Sequence, residues 1–338
     1  MLTAIIQSRV FEKNFFWLRK SIPFLSRRYN ERYNINIKTH SNILSDIKQA
    51  ELNAAQNSLR IIESACQYSK NIDNSIPKKL WLYWNSSLET APEVVHFSIA
   101  SWKKSNPDYD VILLNDNNLN EILGFDFNAV FKLATVNLGF AMKADILRLY
   151  LLSLYGGVWA DTTTFCLQPL SSWLNNETKQ IGFFTFRHKE NKTRPIEAWF
   201  IAANKGSIIT KYNLKLFIEY LFKPRKDSLM LSNRIKKIGR RDQESVRFFS
   251  DLVAQAEKKG FMPYFSVGYF FNEALNQPDT IKIWQELINR SNKRVVDNEP
   301  IIQFKDAYVS KQTYKKDYQE SQIFKERIAY MKSLLDKY

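Results

Sequence analysis

The stretch FAMKADILRLYLLSLYGGVWADTTTF, residues 140–165, constrains the fold more than any other part of the chain. Its first fifteen residues are apolar except for Lys143, Asp145, Arg148 and Ser153. A helix apolar on nearly every face belongs inside a protein. Gly156 and Gly157 then end it, and a short apolar strand, Val158 to Ala160, leads to a single carboxylate at Asp161. A buried helix feeding a buried strand argues for an α/β sheet with helices packed on it. The run VWADTTTFCL reads as one strand.

The flanking sequence supplies the rest of such a sheet. LWLYW (80–84) is a short aromatic strand. A helix is expected from Pro92 to the stop at Asn106-Pro107. DVILLND (110–116) is a second strand, and Asn118 with Glu121 has the spacing of a capping box. From residue 80 the order is β-α-β-α-α-β. Further strands are expected at 180–188 and 198–204, and helices at 207–222 and 280–291. The end of the chain, 311–338, reads as a charged amphipathic helix or pair of helices. Residues 1–75 read as a helical, basic N-terminal region, with Ser41 as a plausible N-cap. The division expected is 1–75, a central domain over 76–300, and a helical extension over 301–338.

Composition narrows the class. With 338 residues, 45% apolar and 25% charged, the chain reads as globular rather than disordered. No run of eighteen apolar residues is present, and the N-terminus lacks a secretory signal core. The two cysteines, Cys66 and Cys166, have neither metal nor redox spacing. The net charge of +15 is patchy: residues 1–40 hold eight Lys/Arg against two Glu, and residues 223–247 hold nine against three acids. An anionic membrane surface or nucleic acid would explain such blocks; so would solubility alone. No nucleic-acid module is visible, so no nucleic-acid partner is expected.

Ligands of open α/β sheets bind beyond the carboxyl ends of the strands, which is where Asp161 falls. The glycine pair either turns the backbone tightly or lets a ligand approach, which makes Gly157 a candidate contact. Asp145 and Arg148 lie three residues apart on an otherwise apolar helix, where charges need a partner or a ligand. Trp84, ending the first strand, lies where an aromatic platform would be useful, and Glu197, before the 198–204 strand, is a candidate for donor or acceptor contact.

The stretch KADILRLYLLSLYGGVWADTT resembles the core signature of the capsular polysaccharide synthesis proteins. These are relatives of the family 32 glycosyltransferases, which carry an Asp-x-Asp motif. Residues 76–116 resemble the family's first strand, helix and second strand; EAWFIAANKG and PYFSVGYFFNEAL resemble later segments. The resemblance implies a GT-A-type fold: a Rossmann-like mixed sheet flanked by helices, with helical additions at both ends. It also implies a nucleotide-diphosphate-sugar donor. Trp84 would stack on the base, Asp145 would hold sugar hydroxyls, and Arg148 would lie by the sugar or diphosphate. Trp159 would line the donor pocket. Asp161 would be the catalytic carboxylate, holding the ribose or the metal–diphosphate, the metal being a divalent ion, Mn²⁺ or Mg²⁺, held with Thr163. Thr163 stands at the second acidic position of the motif, and a hydroxyl is a weaker ligand for such an ion than a carboxylate.

The expected function is transfer of a hexose or related sugar, from a UDP sugar, to a bacterial capsule, O-antigen or lipooligosaccharide acceptor. Retention at the anomeric carbon is implied by the resemblance. A lipid-linked acceptor would give the basic blocks a membrane to face, placing the protein in the cytoplasm on the inner face of the membrane. The rival readings are a catalytically silent sugar-binding relative, suggested by Thr163, and a basic nucleic-acid-binding protein.

Overall fold

The computed structural model describes residues 22, 24, 47–67, 73–134, 138–188, 191, 193–225, 229–232, 253, 256–257, 261–297 and 299–337. Ser41, most of the basic N-terminal region and most of the 223–247 block therefore lie outside the described residues.

The main sheet has five strands in the order β2-β1-β3-β6-β5. Its parallel half joins β1 (Lys79–Tyr83) to β2 (Asp110–Leu114) and to β3 (Gly157–Ala160). The other half is antiparallel: β6 (Ile196–Ala203) runs against β3, and β5 (Phe183–Arg187) runs against β6. All of β3 is buried, as are Leu80 to Tyr83 of β1, which is why these strands read as unbroken apolar runs. The Rossmann-like mixed sheet flanked by helices that the sequence implies is present.

Helix α1 (Gln49–Ser64) lies within the expected N-terminal helical region and packs on the helical turn at Phe127–Leu133. Helix α2 (Glu93–Ser105) starts after Pro92 and ends at Asn106. Helix α3 (Phe140–Leu154) is the apolar helix, buried from Asp145 through Ser153. It packs on α4 (Ile208–Phe222), which in turn packs on α5 (Ser266–Leu275). Among the described residues no helix is long and apolar enough to cross a membrane.

The glycine pair does steric work. Gly156 and Gly157 have φ of 69° and 98°, left-handed values that favour glycine. A Cβ on Gly157 would lie 2.5 Å from Lys79 O, at the start of β1. Of the two expectations for Gly157, the structure shows the tight turn, at the end of β3 away from Asp161.

Three expectations change. VWADTTTFCL is two strands: the chain turns at Asp161–Thr163 and enters β4 (Thr164–Cys166), which belongs to another sheet. Asn118 makes no helix-capping hydrogen bond; its side chain accepts from Asn115 N and donates to Leu113 O, closing the turn after β2. The C-terminal segment is not helical from residue 311. It contributes β10 (Val309–Lys311), antiparallel to β4 and parallel to β9 (Arg294–Val295). Only then come a short turn of helix at Lys316–Gln319 and helix α6 (Gln322–Leu335), which packs on α2. Strands β7 (Met230–Ser232) and β8 (Phe261–Pro263) form a separate parallel pair.

Candidate active site

Asp161 follows β3 directly, at the carboxyl edge of the parallel half of the sheet. Its backbone N–H donates to Trp199 O on β6 at 2.9 Å. The threonines after it divide the task of fixing the turn. Thr162 Oγ1 donates to Tyr83 O at the end of β1, 2.9 Å away. Thr164 Oγ1 donates back to Asp161 O at 2.7 Å and accepts from Trp102 Nε1 of α2 at 3.0 Å. Thr163 presents its hydroxyl to the site.

Both carboxylate oxygens of Asp161 are engaged. Oδ1 accepts from Arg148 Nη2 at 2.8 Å and from Trp159 Nε1 at 3.0 Å. Oδ2 accepts from Lys311 Nζ at 2.6 Å. The same ammonium donates to Thr163 Oγ1 at 2.8 Å. On α3, Arg148 Nη1 also pairs with Asp145 Oδ1 at 2.8 Å, and its guanidinium lies 5.1 Å from the centre of the Trp159 ring. Two carboxylates and two cations thus form one chain, Asp145–Arg148–Asp161–Lys311. Arg148 is only 5% exposed, whereas Asp161 and Lys311 are each about a quarter open to solvent.

This arrangement separates the two carboxyl groups chemically. Burial pushes Asp145 up to about 7, because Arg148, with Lys311 further off, only partly offsets the lost hydration and the nearby Asp161 charge adds to the rise. Burial acts on Asp161 in the same sense. Lys311, Arg148 and the hydrogen bonds outweigh it, and Asp161 is held below its ordinary value.

Trp84 follows β1 on the same edge of the sheet, its backbone N–H donating to Leu114 O at 3.0 Å. Its ring meets Tyr314 edge-on, centroids 6.1 Å apart, and its Nε1 is buried with no protein partner. An unpaired buried N–H costs about 1–3 kcal/mol, so a ligand acceptor suits it.

The structure thus brings Trp84, Asp145, Arg148, Asp161 and Thr163 to one edge of the sheet. It departs from expectation at three residues. Gly157 lies at the far end of β3, for the steric reason above. Trp159 is 1% exposed and orients Asp161 from within the core instead of lining a pocket. Glu197 has both carboxylate oxygens committed: Oε2 accepts from Trp199 Nε1 at 3.0 Å, and Oε1 pairs with buried Arg294 at 2.9 Å.

The sequence reading missed Lys311, whose ammonium bears on the expected metal site. It touches both atoms that the resemblance assigns to a divalent ion. The remaining oxygen of Asp161 is taken by Arg148 and Trp159. Among the described residues, no group of three or more His, Cys, Asp or Glu side chains could hold a metal. One carboxylate, one neutral hydroxyl and an ammonium already between them do not fit a hard dication, which seeks several oxygen ligands.

Comparison with known proteins places the chain. The family described as "Capsular polysaccharide synthesis protein" matches residues 27–230. The "Initiation-specific alpha-1,6-mannosyltransferase" of Saccharomyces cerevisiae is 28% identical over 146 residues, 40% of this chain and 30% of that protein. The "Glycosyltransferase afumC" of Aspergillus fumigatus is 26% identical over 171 residues, 46% of this chain and 44% of that protein. The chain thus matches less than half the length of these relatives. A solved structure titled "PaToxG Glycosyltransferase" aligns with 71% of this chain and 95% of its own, at 17% identity and a TM-score of 0.28.

Proposed function

This chain belongs to the capsular polysaccharide synthesis protein family, and we propose that it is a glycosyltransferase. It moves a hexose or related sugar from a nucleotide-diphosphate donor, a UDP sugar, to a bacterial surface glycan. The observation that carries the reading is the clamp on Asp161, held by Arg148, Trp159 and Lys311 on the same sheet edge as Trp84. The fungal relatives, named as glycosyltransferases, support the reaction class.

The chemistry breaks the bond between the anomeric carbon and the β-phosphate oxygen. That electron pair stays with the departing nucleoside diphosphate. The acceptor hydroxyl oxygen bonds to the carbon, and its proton passes to the departing diphosphate. The protein's tasks are to hold the donor, meet the charge growing on the diphosphate, and exclude water. Trp84 supplies a face for the base. Asp145, at the inner end of the charge chain, receives sugar hydroxyls. Arg148 and Lys311 face the diphosphate across Asp161. Retention of configuration rests on the family resemblance.

A lipid-linked acceptor at the inner face of the membrane fits the basic blocks at 1–40 and 223–247. Binding to anionic but not neutral liposomes, weakening with salt, is the expected behaviour. The transferase reading is tested by thermal-shift and hydrolysis assays against UDP-hexoses and a mannose donor, with wild type and Asp161→Asn. A donor at about 100 times its Kd adds about 2.7 kcal/mol of stability. No stabilisation and no hydrolysis with any donor would overturn it.

A further inference from the structure

Lys311 reaches the site from a part of the chain that the sequence presents as a separate helical tail. β10 lies between β4 and β9, with Lys311 in register with Thr164. Gln312 N donates to Thr163 O at 2.7 Å, so the backbone on either side of the lysine is tied to the motif. Val309 and Ser310 are fully buried. Behind them, buried Arg327 of α6 donates to Val296 O at 2.8 Å, Glu299 O at 2.6 Å and Tyr318 Oη at 3.1 Å. The lysine is thus mounted on a packed strand, as a preorganised group must be.

An ammonium has three N–H groups. Asp161 and Thr163 take two, and the quarter of the side chain open to solvent leaves the third for a ligand. Three residues further on, Tyr314 meets Trp84 edge-on. The segment 311–314 therefore flanks both the carboxylate and the aromatic face, the two ends between which a nucleoside diphosphate would lie.

We propose that the Lys311 ammonium stands in for the divalent cation, binding the donor's diphosphate and meeting the charge that develops on it, so that the protein works without metal. The inference rests on the transferase reading for its ligand. Lys311 donates hydrogen bonds, and no covalent bond to it forms or breaks. Asp161 holds the ammonium in place.

The test measures binding of UDP and GDP to the full chain by calorimetry, in excess EDTA and in excess Mn²⁺, for wild type, Lys311→Met and Lys311→Arg. Wild type is expected to bind a nucleoside diphosphate equally well in both conditions. Lys311→Met should lose about 10- to 100-fold in EDTA, the loss of a charge-assisted hydrogen bond, while binding of the bare nucleoside is unchanged. Lys311→Arg, which keeps the charge, should retain most of the affinity. Wild-type binding that appears only with Mn²⁺ would overturn the proposal, as would undiminished binding by folded Lys311→Met. If Lys311→Met does not fold, the EDTA comparison on wild type decides. Diphosphate binding in EDTA without hydrolysis of any sugar donor would sink the transferase reading and leave Lys311 as the diphosphate's cation. No diphosphate binding in either condition would sink both.

Discussion

Asp161, just after β3, and Glu197, on the neighbouring strand β6, are built alike. Each sits two residues from a tryptophan whose indole N–H it accepts, Trp159 for Asp161 and Trp199 for Glu197. Each pairs with a buried arginine, Arg148 or Arg294. The difference is the fourth group. Asp161 has in addition a lysine, about a quarter open to solvent, on its outer oxygen, whereas both oxygens of Glu197 are spent inside the protein. A carboxylate–arginine–indole cluster is therefore not in itself a site. It becomes one where a cation partly open to solvent lies beside it, at the carboxyl edge of parallel strands.

The comparison breaks most readily at its active half. Asp161→Asn removes the charge that holds both Arg148 and Lys311 in place. Turnover should fall about 10²–10⁴-fold, roughly 3–5 kcal/mol of transition-state stabilisation, in a protein that still folds. Single-turnover donor hydrolysis measures it. Near-normal turnover would remove Asp161 from the chemistry.

Glu197→Gln should have the opposite profile. Arg294 is 4% exposed, and removing its 2.9 Å partner leaves this buried charge only Glu299, 3.9 Å away, at a cost of up to about 3 kcal/mol. Urea unfolding should show the loss, while kcat/KM of the remaining folded protein stays near wild type. A large kcat defect with unchanged stability would return Glu197 to the list of groups that touch substrate.

The third test concerns the indoles. Trp159 and Trp199 spend their N–H groups on carboxylates, whereas that of Trp84 is buried and unspent. Trp84→Ala should weaken nucleoside binding by about 1–3 kcal/mol, the range for base–aromatic stacking. Calorimetry with the nucleoside alone isolates this from the diphosphate. Equal affinity in wild type and variant would deny Trp84 a place at the base.

What was legible in the sequence follows the same division. Asp145, Arg148, Asp161 and Thr163 fall within one helix–turn–strand unit, so local periodicity alone brings them to one place. Lys311 is 150 residues from Asp161 and arrives through strand pairing, which no local pattern encodes. The β-prone run YVSKQTY was a signal, but the charge-rich sequence after it favoured a helix. Glu197 was misread for the related reason that Arg294, its partner, lies on a strand of the other sheet. VWADTTTFCL reads as one strand because threonine suits strands, whereas here Thr162 and Thr164 spend their hydroxyls on bending the chain.

The smallest effect sharpens the comparison within the active half, because burial raises both Asp145 and Asp161 and they share Arg148, yet their net shifts are opposite. Asp145 in the folded protein titrates near 7, raised by burial, against about 3.9 for an unperturbed aspartate. Between these values the unfolded chain has already lost the proton that the folded chain keeps. The unfolded state then binds fewer protons, so this group makes stability fall as pH rises from about 4 to about 7 and contributes no slope above. Asp161, held below its ordinary value, has the reverse sign. Its contribution is full above about 4 and is lost only as pH falls through its folded value. Asp145→Asn removes the first slope and leaves the second. Urea midpoints of the two proteins, measured at intervals across this range, should therefore diverge: wild type loses stability relative to Asp145→Asn with rising pH, and the difference levels off above about 7. Parallel profiles would mean that Asp145 is ionised in the folded protein throughout, with Arg148 compensating its burial in full.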